Sequence, residues 1–200
     1  MIRRSDAALI CFLLFAPDVA SAHTPIKGIS NIFNGMLHPI LTPSHLLLLI
    51  STSLFFGQRG IEQTGTALLT TLAAMVLGLA TSFFSPGPQV EYFILVWAVI
   101  TGLLVAASLQ LSLYWYFVVG ALAGFSLGFD SAQQELYGKE KIIALFGTGA
   151  GVYFFSLYPL RFAEFCNSRH WLRVGVRVIG SWIAASSLLV LSLSLSSVTL

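Results

Sequence analysis

Long apolar runs separated by short polar breaks dominate the 200 residues of this chain. A run of about 20 apolar residues can cross a bilayer as a helix, because a helix makes its backbone hydrogen bonds internally. The runs do not show the two-residue alternation that is typical of membrane β-strands. The pattern predicts an all-α polytopic membrane protein, a bundle of six transmembrane helices over about residues 36–56, 66–84, 92–113, 117–129, 142–160 and 174–195.

The segments between the runs are polar or contain residues that interrupt helices. The second break combines two prolines with a glycine, and the last break is the most charged. Tyr114, Trp115 and Tyr116 precede the fourth run, where they are typical of an aromatic belt at the membrane interface. The main breaks lie at residues 58–63, 85–88, 130–141 and 161–173.

Residues 1–22 have the pattern of a cleaved secretory signal peptide. Two arginines near the start, a short apolar core and an Ala-Ser-Ala sequence before residue 23 supply its three parts. Cleavage after Ala22 makes His23 the mature N-terminal residue and leaves residues 23–200 as a six-helix membrane domain. An uncleaved anchor is the alternative.

The basic residues predict the orientation of the bundle. A signal peptide places the mature N-terminus outside, and the positive-inside rule then requires more basic residues in the inner loops than in the outer ones. Six helices return the C-terminus to the outer side as well. The inner side carries Arg59, Arg161, Arg169, Arg173 and Arg177, whereas the outer side carries Lys27, Lys139 and Lys141.

The composition indicates which kinds of molecule the chain contacts. Hydrophobic residues make up 56% of the chain and charged residues 9%, against roughly 25% charged in soluble domains, so the lipid bilayer is the main partner. A net charge of +2 gives no basis for a nucleic-acid partner. Cys11 and Cys166 lack metal-ligand spacing, and Cys11 lies in the predicted signal peptide, so we predict no disulfide.

Glycines recur every four residues in the fourth run, at Gly120, Gly124 and Gly128. Gly147 and Gly151 repeat this spacing in the fifth run. Small residues at this spacing line one face of a helix and allow the backbone of a neighbour to approach closely. The pattern predicts helix packing.

His38 and His45 lie around two prolines at the start of the first run. Metal-competent side chains in a membrane segment are costly and indicate a functional site. On a straight helix they lie about 10.5 Å apart, too far for one ion bound by imidazole at about 2.0–2.1 Å. However, Pro43 favours a helix that starts after Thr42 as N-cap, which leaves His38 on a preceding bent segment. Transporters build ion sites on such discontinuous helices.

Each of these histidines also has a structural interpretation. His38 and His45 could instead hydrogen-bond to backbone carbonyls freed by the prolines. A mature N-terminal His23 offers its α-amine and imidazole to one metal ion, a compact chelate. Alternatively, it is simply the first residue after the cleavage site.

The signal peptide, His23, the sequence Gly-Met-Leu-His-Pro at residues 35–39 and Ser-His-Leu-Leu at residues 44–47 together resemble the HupE/UreJ family. The resemblance implies a small six-helix protein of the bacterial inner membrane, with both termini periplasmic. It also implies a secondary permease for nickel or cobalt that supplies hydrogenase and urease maturation. The family's first motif is histidine, five residues, aspartate, histidine. Here both histidines match, and Ser44 replaces the aspartate.

The family's second motif, Phe-His-Gly-x-Ala-His-Gly-x-Glu, aligns with residues 122–130. Both glycines match and Asp130 takes the place of the glutamate, whereas Ala123 and Leu127 replace the histidines. The implied metal set is therefore His38, His45, His23 and Asp130. Three or four imidazoles with carboxylates suit nickel or cobalt, so we expect weaker or altered binding here. Asp130 alternatively caps or solvates an outer loop.

We therefore predict a secondary transporter of nickel or cobalt, with copper, bound by histidine and Met36, as the less favoured ion. The alternative is a non-transporting accessory or assembly subunit for a metalloenzyme, which kept the fold and lost part of the site. No organic cofactor is predicted, and a homo-oligomer is left open. An enzyme is not predicted, because Ser44 and His45 are adjacent, about 100° apart on a helix, and no nucleophile elbow surrounds them.

Overall fold

The structure is a computed structural model that describes residues 28–84, 90–131, 136 and 138–198. The described residues form helices and contain no strand, which confirms the all-α prediction. The helices are α1 (Asn31–Leu41), α2 (Pro43–Arg59), α3 (Ile61–Phe84), α4 (Glu91–Ala107), α5 (Leu113–Asp130), α6 (Gly138–Cys166) and α7 (His170–Val198).

Several helices are long and apolar enough to cross a membrane. Among the described residues, four helices meet this criterion alone, and α1 with α2 meets it as one bent pair. The remaining helix, α4, is apolar but only 17 residues long. The chain is therefore a multi-pass membrane protein, and the count of six spans stays a prediction. The predicted signal peptide, residues 1–22, and His23 lie outside the described residues.

The predicted helix over residues 92–113 is wrong at its end, because α4 stops at Ala107. Ser108 follows with a φ of 53°, in the left-handed region, where a helix does not continue. The last carbonyls of α4 bond side chains from other helices instead. Gln58 Nε2 donates to the Val105 carbonyl at 3.0 Å, and Arg177 Nε donates to the Ala106 carbonyl at 2.8 Å. Tertiary contacts thus supply the partners that a further helical turn would have provided.

The predicted aromatic belt is wrong for one of its three members. Tyr114 and Trp115 are exposed, but Tyr116 is 1% exposed and lies in the core. Its ring stacks on Phe55 with centroids 4.4 Å apart. The reason is that α5 begins at Leu113 rather than at residue 117, so a helical turn carries Tyr116 inward.

Some of the breaks between helices are shorter than the polar pattern predicts. Within residues 58–63, the predicted turn reduces to Gly60, whose φ of 96° suits glycine. The charged stretch 161–173 is largely helical, because α6 extends through Cys166 and α7 begins at His170. The main helix packing is nevertheless between non-consecutive helices: α3 with α5, α1 with α6, and α4 with α7.

Glycines bring two pairs of helices into backbone contact, as their spacing predicts. A Cβ atom on Gly124 or Gly128 of α5 would overlap the carbonyl oxygen of Thr71 or Met75 on α3. In the same way, Gly147 and Gly151 of α6 lie against the backbone of α1. The second contact fixes α1, and with it His38, against α6.

The centre of the bundle is α2, which packs against α4 and α6 along its length. Every residue from Ser51 to Gly57 is buried. Its N-terminal end carries the histidine region, and its C-terminal end carries Arg59. The site is thus built on the most enclosed helix of the fold.

Candidate metal site at the break between α1 and α2

The prolines break the first span as the sequence predicts. Thr42 is extended, with φ −92° and ψ 110°, and Pro43 is the first residue of α2. The two helices meet at a bend of 74°. The Thr42 amide donates to the His38 carbonyl at 3.1 Å, which closes α1, although the Thr42 side chain makes no capping hydrogen bond.

The bend brings the two histidines together. Their ring centroids lie 5.2 Å apart, and the rings are nearly perpendicular, at 87°. A straight helix would separate the two residues by about 10.5 Å. Both side chains are enclosed, since His38 is 5% exposed and His45 is 0% exposed. The break therefore forms a paired-imidazole site inside the protein.

Asp130 lies beside His45, although 85 residues separate the two in the chain. It is the last residue of α5, and its Oδ2 atom is 2.8 Å from His45 Nε2. The Asp130 side chain is 16% exposed. A neutral His45 that donates from Nε2 to this carboxylate presents the lone pair of Nδ1 to a ligand. A carboxylate bonded to the far nitrogen of a metal-binding histidine is the usual way to fix its tautomer and orientation.

Several polar atoms at the break are buried and have no hydrogen-bond partner among the described residues. They are Nδ1 of His45, Oγ of Ser44 and Oγ1 of Thr42. A buried polar group without a partner costs about 1–3 kcal/mol, so such groups are uncommon in proteins. Three of them lie within four residues, so the break offers unused polar atoms to which a polar or charged ligand could bind.

The residues fit a transition-metal ion in part. Two imidazoles and neutral oxygen atoms suit such ions, but the described residues contain no group of three or more His, Cys, Asp or Glu side chains placed to hold one. Asp130 contacts His45 directly, a position that suits a residue orienting a ligand. Met36 is half-buried, and its backbone lies against Gly147 and Gly151. His23, the fourth predicted ligand, lies outside the described residues.

The two positions where the second motif lacks its histidines lie in the apolar core. Ala123 is 2% exposed and Leu127 is 1% exposed, and both pack with Leu48 and Leu49 of α2. The glycines of that motif retain their packing role against α3. This half of the motif therefore supplies structure, and its last residue, Asp130, contacts His45.

The second motif includes Asp130 among the candidate ligands, but the sequence does not predict its contact with His45. Nothing in the local pattern could reveal it, since the contact joins the start of α2 to the end of α5. The buried hydroxyls of α2, at Ser51, Thr52 and Ser53, were also missed. Their signal was present, because three consecutive hydroxyl residues inside an apolar run are unusual for a lipid-facing helix.

A family model described as "HupE / UreJ protein" matches residues 10–190 of the chain. No curated protein and no solved structure gave a match. The match extends over both motif regions and every described helix except the end of α7.

Proposed function

The chain belongs to the HupE/UreJ family, and we propose that it is a secondary transporter that carries nickel or cobalt across the bacterial inner membrane. The family is associated with nickel and cobalt transport or with accessory roles for urease and hydrogenase. The observation that carries the proposal is the buried His38–His45 pair, held 5.2 Å apart by a broken helix. A transport role rather than an enzymatic one agrees with this site.

In this proposal His38 and His45 bind the ion, and Asp130 orients His45. Ser44 and Thr42 offer neutral oxygen atoms, which cannot offset the charge of a divalent ion as a carboxylate would. The affinity is therefore moderate, which suits a site that must release its ion. Imidazole ligands must be deprotonated, so binding weakens as the pH falls.

The proposed path begins on the periplasmic side. The histidines lie at the N-terminal end of α2, and the arginines that predict the cytoplasmic side lie toward the opposite end. Arg177 reaches the end of α4, and Arg161 pairs with Glu164 near the end of α6. An ion from the periplasm then meets the imidazoles first, with His23 at the mature N-terminus as an additional ligand. A gradient or a partner protein drives its movement.

A second function is supported by a different observation. Ala123 and Leu127 are buried apolar residues at the positions of the family's second histidine pair. A chain that keeps the fold and lacks these ligands also suits an accessory or assembly subunit for a metalloenzyme. Co-purification with such an enzyme, in the absence of metal flux, would favour this function.

The test is uptake of nickel, cobalt and copper by cells that express the wild type, His38→Ala or His45→Ala. We expect each substitution to reduce accumulation of the transported ion to the background of cells without the protein. His170→Ala is the matched control, because His170 is exposed at the start of α7. Equal accumulation in the wild type and both histidine variants, at equal protein levels, would overturn the proposal.

A further inference from the structure

A small cavity lies inside the bundle, deeper than the histidine pair. Its volume is about 10 Å³. Hydroxyl side chains from three helices line it together with the two residues at the second-motif positions. These residues are Thr52 and Ser53 on α2, Thr71 on α3, Ala123 and Leu127 on α5, and Ser156 on α6.

Hydrogen bonding at this cavity is incomplete. Thr71 Oγ1 donates to the Ala67 carbonyl at 2.9 Å, and Ser156 Oγ donates to the Val152 carbonyl at 2.6 Å. Both hydroxyl oxygens keep lone pairs that can accept. Thr52 Oγ1 is buried and has no hydrogen-bond partner among the described residues, and its side chain is 5% exposed. The lining thus offers an unused donor at Thr52 and several acceptors.

The size and chemistry of the cavity fit one water molecule. A cavity of about 10–15 Å³ can hold one water molecule, which forms about three hydrogen bonds in protein interiors. Here it would accept from Thr52 and donate to two of the other hydroxyls. The lining contains no ionisable side chain, so it does not suit a dehydrated divalent ion by itself.

The cavity lies further along α2 than the histidine site. Thr52 follows His45 by seven residues, which places it on the same face of α2, about 10.5 Å further along. Phe56 also lines the cavity, and it belongs to the same core cluster as the stacked pair Phe55 and Tyr116. The cavity therefore joins hydroxyl side chains to the edge of the aromatic core, one helical face along from His45.

We infer that this cavity is a water-binding site centred on Thr52, and that its water hydrates the ion after it leaves the histidines. The second part rests on the proposed function, whereas the first does not. An ion that loses imidazole ligands in an apolar interior needs oxygen atoms in their place. A water held by neutral hydroxyls supplies one without binding the ion tightly.

The water itself is tested by an experimental structure at a resolution that shows ordered solvent. We expect density within about 3 Å of Thr52 Oγ1 in the wild type and none in Thr52→Val, which keeps the shape and removes the hydroxyl. Thr52→Ala is the second variant if the valine variant does not fold. A wild-type cavity without density would overturn the inference.

The role of the water is tested by transport. We expect Thr52→Val to lower the rate of metal uptake about fivefold, the effect of one lost hydrogen bond, with unchanged metal affinity at the histidines. Thr52→Ser should restore the rate. Thr81→Val is the control, because Thr81 is exposed and bonds within its own helix. Unchanged uptake in Thr52→Val would overturn this role. If the wild type moves no metal, the transport proposal fails and the density alone decides the water site.

Discussion

The two ends of α2 differ in the hydrogen bonding of their polar groups. At the N-terminal end, beside the bend, buried nitrogen and oxygen atoms of Thr42, Ser44 and His45 have no hydrogen-bond partner among the described residues. At the C-terminal end, Gln58 and Arg59 donate to the backbone carbonyls of Val105 and Leu111, and Arg59 also donates to the Gln63 side chain. Hydrogen bonding among the described residues is therefore incomplete at the N-terminal end of α2 and complete at its C-terminal end.

At the C-terminal end of α2, side chains form hydrogen bonds to backbone atoms at the ends of helices. Asn167 Nδ2 donates to the carbonyls of Gly57 and Gln58 at 3.2 and 2.9 Å. A carboxylate oxygen of Glu164 accepts from the Ile61 amide at 3.0 Å, which caps the start of α3. Arg59 donates to the Leu111 carbonyl, and its guanidinium carbon lies 5.2 Å from the centre of the Tyr116 ring. These bonds join the helix ends and close that side of the bundle.

This difference indicates separate roles for the two ends of α2, ligand binding at the bend and stabilisation of the fold at the C-terminal end. Incomplete hydrogen bonding reduces the free energy of unfolding by about 1–3 kcal/mol for each buried group, so it is retained where a ligand completes it. Complete hydrogen bonding stabilises the fold and offers nothing to a ligand. Substitutions at the C-terminal end should therefore change stability, and substitutions at the bend should change metal binding.

The largest expected effect is at the closed end, in Gly57→Leu. A Cβ atom at Gly57 would overlap the Leu160 carbonyl of α6, and backbone cannot move aside as a side chain can. We expect a loss of more than about 3 kcal/mol in stability, seen as loss of monodisperse protein in size-exclusion chromatography. Gly149→Ala is the control, because a Cβ there meets nothing within 4 Å. Equal behaviour of the two variants would contradict the close contact.

At the bend, Asp130→Asn should reduce metal affinity about 10–100-fold, the usual cost of losing a charged partner of a ligating histidine. The thermal stability should change little, since asparagine keeps an acceptor oxygen. Metal titration of the purified protein measures this effect. Glu140→Gln, at an exposed carboxylate of α6, should leave the affinity unchanged. An unaltered affinity in Asp130→Asn would show that the carboxylate does not orient His45.

A smaller effect is expected from Asn167→Ala. The substitution removes two hydrogen bonds to the end of α2, which should lower the free energy of unfolding by about 1–2 kcal/mol. Metal affinity at the bend should not change. Thermal unfolding with and without metal separates the two quantities, and Ser168→Ala is the exposed neighbouring control. A fall in affinity would mean that the two ends are coupled.

The smallest effect is expected from Ser44→Ala in metal-free protein. Because the Ser44 hydroxyl is buried without a partner, its removal should raise the free energy of unfolding by about 0.5–1 kcal/mol. Ser51→Ala should do the opposite, since Ser51 Oγ lies 2.6 Å from Thr101 Oγ1 in a buried hydrogen bond. Opposite shifts in thermal stability would confirm the contrast, and shifts of the same sign would refute it.

The sequence alone determined the helical class, the glycine contacts and the break at Pro43. These features depend on local chemistry, because apolar length, four-residue spacing and a missing amide act on the helix that contains them. The break also made a pairing of His38 with His45 possible, since only a bend can shorten their separation, and the structure places the two rings 5.2 Å apart.

Only the tertiary structure decided where some helices begin and end and which residues contact those ends. The end of α4 at Ala107 depends on Gln58 and Arg177, which are far away in the chain. The inward position of Tyr116 depends on where α5 begins. Asp130 meets His45 because the glycine contact between α3 and α5 fixes the level of the α5 terminus. Such contacts join distant segments, and no local pattern records which segments will meet.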